Sequence, residues 1–233
     1  MNALRVRPSD TLPKTELPWL RLQDHFVATV GPSAGTGRPF GPLLVMADAT
    51  FAPRSRFPLH PHRDMEILSL VLQGELSHHG DQEHGQSLGT RQVQLISARN
   101  GIVHAEGNDT DRDTRMLQIW FTPNARGGAP AYFNRTLPQA SGGGRHVVAG
   151  DDGLPLRSSA RVWWLDLVPG HEEVLALEAG RAGYLLAMEG EVALPDGTRL
   201  RERDGAELHS GSVTVACAAG TPVARALWID VAP

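Results

Sequence analysis

His60 and His62 sit two residues apart in "RFPLHPHRDMEILSLVLQGEL" (56–76), with Glu66 four residues further along a run that otherwise reads as apolar strand. Side chains alternate across a β-strand, so an unbroken extended chain would aim residues 60, 62, 64 and 66 at one face. Downstream, "SARNGIVHAEGND" repeats the spacing with His104 and Glu106. If both segments are extended on neighbouring strands, His60, His62, His104 and Glu106 can converge on one ion. Three neutral imidazoles and a carboxylate suit a borderline divalent metal such as Fe(II), Ni(II), Mn(II), Cu(II) or Zn(II). They suit oxygen-seeking Ca(II) poorly.

The other histidines lack such company. His78, His79 and His84 fall in the polar stretch "SHHGDQEHGQ", which reads as a solvated hairpin connection. His146, His171 and His209 are isolated among polar or loop residues and are expected at the surface. His25 precedes an apolar run and reads as a hydrogen-bonded structural histidine.

The elements that must position the paired residues are strands. With 25 Gly and 17 Pro, the chain is cut into short pieces rich in Val, Ile, Leu and Trp. These include "GPLLVMADATF", "RQVQLISA", "TRMLQIWFTP", "ARVWWLDLVPG", "SVTVACA" and "VARALWIDV", with turn residues bounding most of them. Helical periodicity is scarce, and "HEEVLALEAG" is too short and Gly-bounded to read as a helix. An all-β sandwich or barrel is therefore expected. The Asp-Gly of "LPDGTRL" predicts a hairpin turn.

A weak internal repeat divides the chain. "LSLVLQGELSHHGDQ" at 68–82 resembles "YLLAMEGEVALPDG" at 184–197, with Gly74 answering Gly190. "TRMLQIWF" at 114–121 likewise resembles "ARALWIDV" at 224–231. The offset is about one β-domain length. Two similar β-barrels are expected, spanning 1–130 and 131–233 and joined through a loop-rich stretch that contains Gly142-Gly143-Gly144.

Composition bounds the function. A formal charge of −4 with no basic cluster argues against nucleic acid or anionic membrane as a partner. The single cysteine, Cys217, excludes an intrachain disulfide, which fits a reducing cytoplasm. The N-terminal stretch has no apolar core of signal-peptide length, and no apolar run is long enough for a transmembrane helix. The sequence leaves the oligomeric state open, a monomer included.

"HPHRDMEILSLVLQGELSH" followed by "ISARNGIVHAE" resembles the pirin family of bicupins, and is especially similar to bacterial pirin-like proteins associated with quercetin 2,3-dioxygenase activity. The "LQIWFTP" strand and the "LWIDVAP" ending fit the same pattern. The resemblance implies two tandem cupin barrels, with one metal ion, Fe(II) foremost, in the N-terminal barrel. It places the ligands at His60, His62, His104 and Glu106. The C-terminal half has no His-x-His pair, so its barrel is expected to carry no metal. In many single-domain cupins the glutamate at the place of Glu66 is itself a ligand. The pirin pattern favours Glu106 and leaves Glu66 as an acid that either supports the ligands or faces the substrate. Glu106 or Glu66 would then accept a proton during O₂-dependent opening of a flavonol ring, releasing carbon monoxide and a depside. The alternatives are a metal-dependent, redox-sensing protein that acts through a protein partner, and a cupin enzyme acting on another small molecule.

Overall fold

The computed structural model describes residues 4–139 and 141–232. Short Gly- and Pro-bounded apolar runs become strands because the breaks come too often for a helix to propagate. The first part of the chain forms β1 (Leu4–Arg7), β2 (Lys14–Leu17), β3 (Leu20–Asp24), β4 (Leu43–Phe51), β5 (Ser55–Arg56), β6 (His60–His62) and β7 (Glu66–Gln73). There follow β8 (Glu75–Gly80), β9 (His84–Gly89), β10 (Gln92–Ser97), β11 (Ile102–Asn108), β12 (Thr114–Phe121) and β13 (Ala131–Thr136). The remainder forms β14 (Gly144–Ala149), β15 (Ala160–Leu167), β16 (Glu172–Ala176), β17 (Ala182–Glu189), β18 (Val192–Ala193), β19 (Arg199–Leu200), β20 (Gly205–Leu208), β21 (Ser212–Cys217) and β22 (Ala224–Val231). A single 3-10 turn, Ser9–Thr11, is the only helical element among the described residues. No helix among them is long and apolar enough to cross a membrane. "HEEVLALEAG" supplies β16.

Two compact units result. One comprises Pro13–Leu137 with Leu154–Ser159, and the other takes the remaining described residues. In the first, a seven-stranded sheet in the order β13-β10-β7-β12-β4-β3-β2 accompanies a sheet in the order β5-β11-β8-β9, with β6 added on β11. In the second, a six-stranded sheet (β1-β20-β17-β22-β15-β14) accompanies a four-stranded one (β16-β21-β18-β19). Each unit is a cupin-type β-barrel of two antiparallel sheets. The division differs from the expected one at both ends. β1 pairs with β20, so the first strand belongs to the C-terminal unit. β13, in a stretch read as loop, pairs with β10 and closes the N-terminal sheet, moving the boundary past residue 130 to Leu137.

The repeat read from the sequence is structural. Gly74 and Gly190 both adopt a left-handed φ, +75° and +69°. A Cβ at either would meet a backbone oxygen, Asp113 O at 2.7 Å or Val223 O at 2.5 Å, just before the matching strands β12 and β22. Glycine is the residue that such a turn accepts without strain. The aligned strands differ where they face the interior. Ser69 and Gln118 are cross-strand partners in the N-terminal barrel, whereas Leu185 and Trp228 occupy the same paired positions in the C-terminal one. Leu185 and Trp228 join Leu165, Leu167, Leu175 and Val215 in a continuous apolar core. The N-terminal barrel buries Leu20, Leu22, Phe51, Val71, Leu76 and Met116 in one apolar cluster.

Candidate metal centre

β11 is the axis of the site. On one side it pairs with β6, setting His104 directly across from His60 and Ile102 across from His62. Ring centroids are 4.6 Å apart for His60 and His104, 4.8 Å for His60 and His62, and 5.0 Å for His62 and His104. One nitrogen from each of the three rings lies within 4.8 Å of the others. On its other side β11 pairs with β8, which places His78 across from Glu106 and Gly80 across from His104. His78, His104 and Glu106 form a second group whose ligand atoms also lie within 4.8 Å of one another.

Glu106 is held by the opposite sheet. Ser69 Oγ lies 3.0 Å from Glu106 Oε1, Gln94 Nε2 donates to the same oxygen, and Gln118 Nε2 donates to Oε2 at 2.5 Å. Ser69, Gln94 and Gln118 form one row across β7, β10 and β12. Tyr132 extends the row by donating from its hydroxyl to Gln94 Oε1 at 2.9 Å. The carboxylate is thus fixed at the centre of a polar cross-section of an otherwise apolar barrel. The polar residues of that row were findable in the sequence, because each interrupts an apolar strand run ("LSLVL", "VQLIS", "MLQIW").

The donor set fits a cation. His62 Nε2, His78 Nδ1 and both ring nitrogens of His104 are buried with no hydrogen-bond partner. A buried polar atom left unsatisfied costs about 1–3 kcal/mol, and coordination would supply the missing partner. Burial, reinforced by the neighbouring imidazoles, lowers the pKa of His62 and His104 to about 3. Burial is also the largest cause for His78, lowered to about 4. The rings are therefore neutral at physiological pH, as metal ligation requires. In the unfolded chain such imidazoles protonate near pH 6.5. Below that pH the unfolded state binds more protons than the folded one, so these rings make the metal-free protein less stable as the pH drops toward 4. Melting of metal-stripped protein should show a loss between pH 7 and pH 5 that is visibly smaller in His104→Ala. An equal loss in both would contradict the buried neutral imidazoles.

Glu66 is placed elsewhere, which corrects the shared-face expectation. The backbone leaves β6 through Asp64, whose φ is +48°, and crosses to the other sheet before β7 begins. Alternation then restarts, so Glu66 shares a face with Leu68 and Leu70 while Ser69 faces Glu106. Its carboxylate, fully buried, accepts the Ser97 hydroxyl at 2.6 and 2.7 Å and the Arg157 backbone N–H at 3.2 Å. Burial raises its pKa, with the hydrogen bonds and Arg157 and Arg99 opposing the rise. Glu66→Ala should therefore cost about 1–3 kcal/mol of stability by orphaning those donors, with metal content unchanged. Metal analysis of the purified variant checks this; an empty site would restore Glu66 as a ligand.

His78 is the residue that the sequence reading misplaced. It lies on β8, is 1% exposed, and packs at a tilt against Tyr132 and His104 at centroid distances of 5.1 and 5.4 Å. Its signal was alternation from Leu76, a core residue two positions earlier. Its neighbours behave as a polar hairpin should: His79 binds Asp109 at 3.0 Å and His84 is exposed. His146, His171 and His209 each pair with a carboxylate, of Asp166, Glu173 and Glu207. His25 is fully buried.

Residues 7–121 match the Pirin family, and residues 148–231 match the quercetinase C-terminal cupin domain. A pirin-like protein of Caulobacter vibrioides is 34% identical over 215 residues, covering 89% of this chain and 91% of its own. A quercetin 2,3-dioxygenase of Escherichia coli K12 is 28% identical over 171 residues, covering 71% and 73%. The bacterial pirin YhhW of Escherichia coli, solved in complex with nickel(II), shares the fold at a TM-score of 0.87 and 22% identity, covering 99% of both chains.

Proposed function

This chain belongs to the pirin family, and from that premise we propose that it is a metal-dependent dioxygenase that opens the heterocyclic ring of flavonols such as quercetin with O₂. The ligands we assign are His60, His62, His104 and Glu106, and the ion we favour is Fe(II). One observation carries the reading. His60 belongs both to the histidine cluster and to the wall of an apolar cavity of about 260 Å³. Phe51, Phe57, Met116 and Trp120 line that cavity with Gln118, which donates to Glu106. Such a space, at the small end of ligand cavities, suits one aromatic molecule with a polar edge turned to the histidines.

When bound, the ion would act as a Lewis acid that lowers the pKa of the substrate's 3-hydroxyl. The chain supplies the rest. Aromatic and aliphatic walls exclude water and hold the flavonol rings in place. Glu106, aimed by Ser69, Gln94 and Gln118, accepts the hydroxyl proton. Trp120, packed edge-on to His62 at 4.9 Å, fixes that imidazole's orientation. Both oxygen atoms of O₂ would enter the depside, and C3 would leave with its own oxygen as carbon monoxide.

The test loads metal-stripped protein anaerobically with Fe(II), and in parallel with Ni(II), Mn(II), Cu(II) or Zn(II), before adding quercetin and air-saturated buffer. One O₂ consumed and one carbon monoxide released per flavonol is the expected result. A fully loaded protein that consumes no oxygen with any flavonol would sink the enzymatic reading.

A further inference from the structure

We propose that the N-terminal barrel offers a divalent cation a second seat, formed by His78, His104 and Glu106 on the β8 side of β11. This rests on the reading of the histidine cluster as a metal site, and extends it by one residue that the ligand set above does not use. In the first seat the histidine donors are His60, His62 and His104, across the β6–β11 pairing, completed in our assignment by Glu106. In the second they come from the β8–β11 pairing, with His104 and Glu106 common to both.

Three observations carry the second seat. Its donor atoms lie within 4.8 Å of one another, close enough to surround one ion. His78 is 1% exposed with Nδ1 unpartnered, and His104, also 1% exposed, has both nitrogens unpartnered. A merely structural histidine at this depth would have found a partner for that nitrogen. Gly80, finally, stands across from His104 where a side chain would close the seat. A Cβ there would lie 3.1 Å from His78 Nε2 and 3.0 Å from His104 Cβ. Glycine at this position leaves both histidines uncrowded.

Because His104 can serve only one seat at a time, the protein binds one ion, and the two seats compete for it. Only the first seat includes His60, which lines the apolar cavity, so an ion in the second seat is drawn back from that wall. His78 thereby sets how much of the bound metal faces the cavity.

Nickel(II) binding, measured by equilibrium dialysis and elemental analysis on folded full-length protein, tests the proposal. Wild type should bind one ion. His60→Ala/His62→Ala keeps only His104 and Glu106 of the first seat, too few to hold the ion there, yet should still bind one ion with His78, weakened about tenfold or more. Adding His78→Gln should weaken binding by well over a further hundredfold, beyond the roughly 10–100-fold that loss of an outer hydrogen-bonding partner usually costs. If the double variant does not fold, His62→Ala with and without His78→Gln makes the same comparison. A folded double variant that binds no nickel, or a third substitution without effect, overturns the second seat and leaves the metal site standing. Wild type that binds no nickel overturns both.

Discussion

His104→Ala should leave the protein folded but unable to hold a metal ion, with oxygen uptake lost entirely. His104 is common to both groups of converging donors, so its loss removes an imidazole from each. The strands around it are held by ladder hydrogen bonds and apolar burial, neither of which needs the ion. In the metal-free state the variant should be little less stable than the parent, because the deletion also removes two buried nitrogens that have no partner. The difference shows when metal is added. Nickel at about one hundred times its dissociation constant stabilises a folded binding protein by about 2.7 kcal/mol. For a chain of this size each kcal/mol raises the melting temperature by about 2–4 °C. Wild type should therefore melt several degrees higher with nickel, and His104→Ala should not shift. A variant that keeps a metal-induced shift of wild-type size would show that the ion sits elsewhere.

The chemistry of this centre was legible in the sequence further than its geometry. Two pairs with a spacing of two, His60/His62 and His104/Glu106, are visible in any linear reading, because alternation alone puts each pair on one face. What no spacing records is register. That His104 falls across from His60, and Glu106 across from His78, depends on how β6 and β8 flank β11. Glu66 shows where alternation fails. The rule holds only while the strand continues, and the left-handed turn at Asp64 ends one strand before the next begins in another sheet. His78 failed in the opposite direction: its polar neighbours suggested solvent, although the strand through Leu76 continues to Gly80. The repeat was readable because Gly74 and Gly190 answer the same steric demand. The exchange of β1 into the C-terminal sheet was not, since "LRVR" carries no mark of its partner.

Ala47→Leu should abolish most turnover while the metal stays in place, separating the cavity from the ion. Ala47 is 4% exposed, lines the apolar cavity, and stands across from Gln118, one strand away from the residue that steadies Glu106. Leucine adds three carbon atoms to a space of about 260 Å³ and leaves every histidine in place. A single methylene misfit in an apolar pocket is worth about 1–3 kcal/mol, or about 10–200-fold in kcat/KM, so a larger intrusion should lower it by at least that much. The barrel has empty volume to absorb the side chain, so the overpacking cost should fall at or below the usual range of about 1–3 kcal/mol. Nickel content and the metal-induced melting shift should match those of wild type. An unchanged kcat/KM for quercetin would mean that the flavonol does not enter this cavity. A lost melting shift would mean that Ala47 acts through the ligands rather than through the space they face.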